Sequence, residues 1–481
     1  MNLNIDAQCD RIVQKLKAAA AADPAFAVFG ANRHRYVIGP SVSEAQVRAF
    51  ETAHGIALPE PYAAFLRRIG NGSTEDGSYY GSAAGPFYGI YPLGFGLDDF
   101  LEYKDGCLAT LPFVRPDMPA SEWQEATRLF DDENVSDDDF DEACRRLYGG
   151  LLPIGSQGCQ SYHALVLQGP YAGRIVNIDT ERSPPVFAFE ANFLDWYERW
   201  LDEILSGILL KDGPNWFAYT MGGDDAHLLK VFNTADQTSE KLAALGGFRK
   251  LRSISAKSAD EVAKIAASDD PELRRDAVLI LAEFAYAQAR APLHDLLNGP
   301  EADQLTACSA IHWFAKDHAV DWVDRVGPIC ARTGDIELFR HASYILQSSG
   351  RDCSAYLVPA ASHPDEAIRA QAIYALGKGV QTSQAIDAIL TALTDVSPKV
   401  VHTALQAHQK AFDDRFIAAY AAIARRFEVD ENYIQVNLRH RLKAIGYDAI
   451  PAFLAAFDRG KVRTGGFWSR LLGRQNRMQV R

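Results

Sequence analysis

From Ala277 onward the chain repeats itself. Aligning AVLIL at Ala277, AIHWF at Ala310, ASYIL at Ala342, AIYAL at Ala372, ALQAH at Ala404 and LRHRL at Leu438 spaces the anchors about thirty residues apart. A period of this length, opened each time by a small or aliphatic residue, describes stacked helix pairs. Each pair exposes an apolar face that only the next pair can cover. The partner helices read as LHDLL, WVDRV, YLVPA, AIDAIL, FIAAYAAI and IPAFLAAF, and the turns DDPELR, HPDEAIR and DVSPKV precede three of the units. An all-α, HEAT-like solenoid over 252–458 is therefore expected.

Before residue 205 the pattern is different. Ser43-Glu-Ala-Gln46 is a capping box, with Val47 and Phe50 on the apolar face, and Gly55 ends that helix in the left-handed conformation. Leu58 to Ser73, LPEPYAAFLRRIGNGS, predicts a second short helix, with Tyr62, Phe65 and Leu66 in the core and Gly70 to Gly72 turning the chain. Strand-like runs follow: FYGIYPL (87–93), LLPIG (151–155), SYHALVL (161–167), GRIVNID (173–179) and PVFAFE (185–190). NFLDWYERWLDEIL closes the half as an amphipathic helix. Helices around short strands with hairpin-sized loops predict an α+β domain with an antiparallel sheet over 1–205. Residues 206–251, rich in glycine, read as a connector, and 459–481 as a basic tail.

Composition narrows the function. The chain has 481 residues, 48% of them hydrophobic and 23% charged, which suits folded domains. No apolar run is long enough for a signal peptide or a membrane span, so a cytoplasmic protein with no membrane partner is expected. The seven cysteines, Cys9, Cys107, Cys144, Cys159, Cys308, Cys330 and Cys353, never form CxxC and read as free thiols. A net charge of −13 makes nucleic acid a poor partner and a basic protein a good one. Residues 459–481 hold seven basic residues and no acidic one, so the remainder carries about −20.

No catalytic pattern emerges. Gly155-Ser156-Gln157-Gly158 lacks the spacing of a nucleophile elbow, and Gly377-Lys378-Gly379 lacks the remainder of a phosphate-binding loop. No H-E-x-x-H occurs, His402 and His408 fall on different helix faces, and Asp224-Asp225-Ala226-His227 reads as loop composition. No metal, cofactor or catalytic residue is expected. The densest feature is DDENVSDDDFDEACRRL, where Asp131, Asp132, Glu133, Asp137, Asp138, Asp139, Asp141 and Glu142 place eight carboxylates in twelve residues. Ser136 caps a helix there, and acids in its first turn suit the helix dipole. Together with Asp98 and Asp99, these carboxylates are the candidate partner-binding residues, a solvated face that a cationic partner would meet.

The first half resembles the SUKH superfamily of Smi/Knr-type domains. The resemblance rests on SEAQVRAFETAHGIALPEPYAAFLRRIGNGS, FYGIYPL, LLPIGSQGCQSYHALVL, RIVNID and VFAFEANFLDWYERWL, in that order, across most of 25–205. The segment 98–150, with the acidic run, looks like an insertion. The second half looks like HEAT-type repeats, a match that implies shape more than activity. The first resemblance implies a cytosolic immunity protein that binds and sterically blocks a secreted polymorphic toxin, for instance a nuclease, without being an enzyme. A regulatory scaffold without a toxin, and an enzyme of HEAT-lyase type, are the alternatives.

Overall fold

In a computed structural model the described residues are 5–73, 76–98, 106–131, 134–181, 183–210, 217–380, 382–407, 414–427 and 433–462. The chain divides into two compact units, Met1–Ser258 and Ala259–Arg481.

Unit 1 begins with α1 (Ile5–Ala22), α2 (Ala31–His34), α3 (Glu44–His54) and α4 (Glu60–Arg68), followed by α5 (Ala120–Thr127) and α6 (Asp137–Tyr148). The sheet comprises β1 (Leu151–Gly158), β2 (Ser161–Val166), β3 (Ile175–Asp179) and β4 (Val186–Phe187), and α7 (Phe193–Leu205) follows it. The four strands run antiparallel in the order β1-β2-β3-β4. Strand β4 has only two residues, because Pro184 and Pro185 before it cannot donate to a ladder.

Local signals set most of these elements. The capping box at Ser43 and Gln46 is formed, and Gly55 ends α3 at φ +65°. Pro59 and Pro61 open α4, which buries Tyr62, Phe65 and Leu66. These side chains meet α7: Tyr62 and Phe65 pack on Phe193 at 4.9 and 5.0 Å between ring centroids, and Phe65 on Tyr197 at 4.9 Å. Trp196, on the same helix, packs on His163 of β2 at 5.1 Å. The core of unit 1 is thus an aromatic layer between α4, α7 and the sheet.

One expected strand is absent. Residues 87–93 hold a single bridge, Ala83 to Ile90, because Phe87 and Gly89 take φ of +53° and +99° and turn the chain. A Cβ on Gly89 would lie 2.1 Å from the Ala83 carbonyl, so glycine is required there. The segment still reaches the edge of β1, where the Tyr91 amide donates to the Ile154 carbonyl at 2.8 Å.

Residues 206–251, expected as a connector, contain α8 (Asp225–Thr234) and α9 (Thr238–Phe248). Asp224 is the N-cap of α8, its carboxylate accepting from the His227 amide at 2.8 Å. Leu228, Leu245 and Phe248 are fully buried. A helix α10 (Ala256–Ile265) leads into the second unit.

Unit 2 contains α11 (Pro271–Phe284), α12 (Tyr286–Leu297), α13 (Glu301–Phe314), α14 (Ala319–Arg332), α15 (Ile336–Ser348), α16 (Ser354–Leu357), α17 (Glu366–Lys378), α18 (Ser383–Ala392), α19 (Pro398–Ala407), α20 (Arg415–Arg426), α21 (Tyr433–Ala444) and α22 (Ile450–Asp458). The odd-numbered helices α11 to α21 form one row, each packed on the next. Every anchor of the repeat, Ala277, Ala310, Ala342, Ala372, Ala404 and Leu438, is 0% exposed. Small anchors let neighbouring helices approach closely. A Cβ added at Gly377 would lie 2.4 Å from the Ala407 Cβ, so α17 and α19 touch nearly backbone to backbone. Asp270, Asp335 and Asp365 cap α11, α15 and α17. Where YLVPA suggested a whole helix, α16 is one turn followed by a 3-10 turn from Pro359, which supplies no amide donor.

Candidate partner-binding surfaces

The acidic segment forms a helix as its capping pattern requires. The Ser136 hydroxyl accepts from the Asp139 amide at 3.2 Å and donates to the Asp139 carboxylate at 2.7 Å, while Cys144, Leu147 and Tyr148 face the core. Asp137, Asp138, Asp139 and Glu142 are exposed, as are Asp131 and Asp98; Asp141 is half-buried. Glu142 pairs with Arg145 of its own helix. Asp99, Asp132 and Glu133 lie outside the described residues, as do His408 and the tail from 463 onward, with Phe467, Trp468, Leu471 and Leu472. The structure therefore places four of the five α6 acids together on one exposed helical turn or the next.

A second surface escaped the sequence reading. On the odd-numbered row of unit 2, aromatic and imidazole side chains stack from one repeat to the next. His312 on α13 stacks on Tyr344 of α15 at 4.7 Å and lies 5.6 Å from His341. Tyr344 meets Tyr374 of α17 edge-on at 6.3 Å. The Lys378 ammonium sits 5.9 Å from the Tyr374 ring centroid. Farther along, His402 of α19 packs edge-on against Tyr433 of α21 at 4.5 Å and takes hydrogen bonds from Gln406 and Asn437. The stripe is open to solvent at large side chains: Trp313 is 65% exposed, Tyr433 49% and Tyr374 38%. Scattered apolar side chains are ordinary on a surface, whereas aromatics in register along a repeat are the composition of an interface.

The signal was present in the alignment of the repeats. The position two after each anchor reads Leu279, His312, Tyr344, Tyr374, Gln406 and His440. On a helix this column lies about 200° round from the buried anchor, so its residues emerge on the face opposite the packed one. The sequence reading used the anchors to find the period and left the adjoining column aside.

The imidazoles of the stripe are neutral-leaning. Burial lowers the pKa of His312, with His341 and Lys316 adding to the effect, and burial likewise lowers His341 and His402. At neutral pH the stripe thus offers ring faces and neutral hydrogen-bonding groups, in contrast to the carboxylates of α6.

Six of the seven cysteines are buried thiols. Burial raises the pKa of Cys9, Cys308, Cys330 and Cys353, pushing Cys308 to about 12. Among the described residues there is no group of three or more His, Cys, Asp or Glu able to hold a metal, and no helix long and apolar enough to cross a membrane.

An X-ray structure of YIBA_ECOLI is similar at 13% identity over 49% of this chain and 92% of that one, with a TM-score of 0.31. No curated protein matches the sequence. The sequence profile of the SMI1 / KNR4 family (SUKH-1) matches residues 41–199, the stretch that runs from the strand-like entry of α3 through the sheet into α7. Residues 41–199 therefore carry a SMI1 / KNR4 (SUKH-1) domain, and a largely helical region of solenoid type follows it.

Proposed function

We propose that the protein is a non-catalytic immunity protein, which binds a cognate secreted toxin in the cytosol and blocks it sterically. The observation that carries this reading is the SUKH-1 match over 41–199, since domains of this kind are typically immunity modules that act by binding protein. Two surface properties support it. The exposed aromatic stripe supplies the ring-rich anchors from which most interface energy comes. The acids of α6, within a chain of net charge −13, favour encounter with a basic partner. The two surfaces divide the work: carboxylates speed association, and buried rings slow release.

The test is co-expression with the protein encoded beside it, read as rescue of growth and as a complex on size exclusion. Trp313→Ala combined with Tyr374→Ala is expected to weaken the complex roughly 100-fold, mostly through faster dissociation. Replacing Asp137, Asp138 and Asp139 by Asn is expected to slow association at low salt and leave dissociation nearly unchanged. Absence of both rescue and complex rejects the immunity reading. Partners recovered from unchallenged cells, with a growth defect on deletion, would favour a regulatory scaffold instead.

A further inference from the structure

Unit 1 carries an unbroken ladder of aromatic rings beside β1. Phe29 packs on Tyr88 at 5.4 Å between centroids, Tyr88 stacks on Tyr79 at 4.8 Å, and Tyr79 meets Tyr80 at 4.4 Å. Tyr80 stacks in turn on Phe95 at 5.4 Å, and Phe95 closes on buried Tyr91 at 5.0 Å. The outer rings are open: Tyr80 is 57% exposed and Phe29 48%, while Tyr79, Tyr88 and Phe95 are half-buried. From Gly77 to Leu97 no residue is charged, in a chain where 23% are. The hydroxyls of Tyr79, Tyr80 and Tyr88 make no hydrogen bond among the described residues. Three phenol donors thus stand free along an uncharged, ring-covered surface.

The backbone fixes these rings in place. Tyr80 takes a φ of +51°, which is uncommon for a bulky residue and persists only where its surroundings over-determine it. Around it, the Ser73 amide donates to the Gly81 carbonyl at 2.7 Å and the Ser82 amide to the Tyr79 carbonyl at 2.9 Å. Ala83 and Ile90 exchange two further bonds, at 2.7 and 2.9 Å, and the Tyr88 amide donates to the Ser156 carbonyl of β1 at 3.3 Å. The ladder is therefore held in one arrangement before any partner arrives, which reduces the entropy lost on binding.

We propose that this ladder docks a proline-rich segment of a partner protein in the polyproline II conformation. Proline has no N–H, so such a segment offers carbonyl acceptors and apolar ring faces, with neither backbone donors nor charge. Aromatic faces and free phenol donors on an uncharged surface are its complement. A charged segment would find no counter-charge between Gly77 and Leu97. The spacing agrees as well. A polyproline II helix repeats every three residues, or about 9 Å. Ring-to-ring steps of 4.4–5.4 Å put every second ring at most about 10 Å away, so residues i and i+3 of the segment meet successive gaps in the ladder. The ladder shares no residue with the stripe of unit 2 or with α6, so its test needs no toxin and its failure leaves the immunity reading standing.

The test is fluorescence anisotropy of labelled decaproline titrated with the full chain. Saturation with a midpoint below ~1 mM is expected, and binding about tenfold weaker in Tyr80→Ala. Combining Tyr79→Phe, Tyr80→Phe and Tyr88→Phe keeps every ring and removes the donors, and is likewise expected to weaken binding about tenfold. That triple variant carries the decision if Tyr80→Ala lowers the thermal midpoint. Trp313→Ala with Tyr374→Ala, on the stripe, is expected to leave the affinity unchanged; loss of binding there would move the site off the ladder and overturn the proposal. So would the absence of saturation by ~5 mM, or unchanged affinity in a folded ladder variant. Equal binding of a labelled Gly-Ser decapeptide, or displacement by cellohexaose at lower concentration than by unlabelled decaproline, would also overturn it.

Discussion

Unit 1 and unit 2 are held together over different distances along the chain. In unit 1, Gln8 donates to Asp195 and Glu198, and the Tyr197 hydroxyl donates to the Ala84 carbonyl, joining residues 187, 190 and 113 positions apart. In unit 2 the equivalent ties are short and recurrent. Arg274 and Arg275 reach Asp303, Gln371 reaches Ser343, Arg369 reaches Asp395 and Ser397 reaches Glu366, with separations between 26 and 31. The cores differ in kind as well. Trp123, Trp196, Trp200, Tyr62, Tyr197, Phe65 and Phe193 fill the first, whereas the repeat packs alanine anchors with Leu and Ile and fewer rings, Phe339, Phe416 and Tyr420 among them. Long-range aromatic packing makes unit 1 an all-or-none body; nearest-neighbour packing makes unit 2 a chain of separable interfaces. A domain that forms its core from both ends of its sequence must close long loops before any contact rewards it, and the repeat need not.

The largest expected effect that would break this contrast comes from paired core truncations. Trp196→Ala removes a fully buried indole and is expected to cost about 3–5 kcal/mol. Hydrogen exchange should then rise across all of unit 1. Leu346→Ala in α15 is expected to cost about 2–5 kcal/mol, with faster exchange confined to α15 and the helices packed on it, α13, α14 and α17. If the Trp196 effect stayed local, or the Leu346 effect spread over the whole of unit 2, the distinction would be wrong.

Acid sharpens the contrast at the next level. His34 and His163 in unit 1 are buried, and burial holds both near pKa 4, against the upward pull of the Gly85 backbone and Asp23 on His34 and of Asn177 on His163. Their folded values lie below the unfolded value near 6.5, so the unfolded chain takes up protons first. The stability they contribute is complete above about pH 6.5 and is lost as pH falls toward 4, by about 3 kcal/mol for each histidine. Urea unfolding followed by exchange at pH 7.5 and 4.5 should show unit 1 weakening more than the repeat, whose stripe imidazoles are only partly buried. A larger acid loss in unit 2 would count against it.

The smallest effect tests local against tertiary control. Ser43→Ala removes one half of the capping box on α3 and is expected to cost about 1 kcal/mol, seen as a lower denaturant midpoint with unchanged slope. A loss several times larger would mean that the start of α3 is fixed by packing rather than by its cap.

Much of this architecture was legible from local chemistry. The box at Ser43, the left-handed Gly55, the Pro59-opened helix, the Ser136 cap and the thirty-residue period each rest on a few neighbouring residues. The misreadings have equally definite causes. FYGIYPL has strand composition, yet positive φ at Phe87 and Gly89 bends it, and only its approach to β1 decides that path. YLVPA has helical composition, and Pro359 cuts it. Residues 225–248 looked like a linker because glycines dilute their periodicity, although Asp224 is a sound cap and Leu228, Leu245 and Phe248 find a core. Of the candidate site, the acidic helix could be read from its sequence. The ring contacts of the stripe could not, since His312, Tyr344 and Tyr374 come from three separate helices.

By itself the sequence determined the division into an α+β half and a helical repeat, the helix starts and stops, and the sign of the surface charge. These follow from periodicity, caps and composition, which act within a turn or two of chain. The repeats put His312, Tyr344 and Tyr374 in one column, but tertiary structure alone decided that these rings meet and that Tyr62 and Phe65 close on Phe193. Both depend on which backbones lie side by side, and burial gives such groupings their energy only once those backbones have packed.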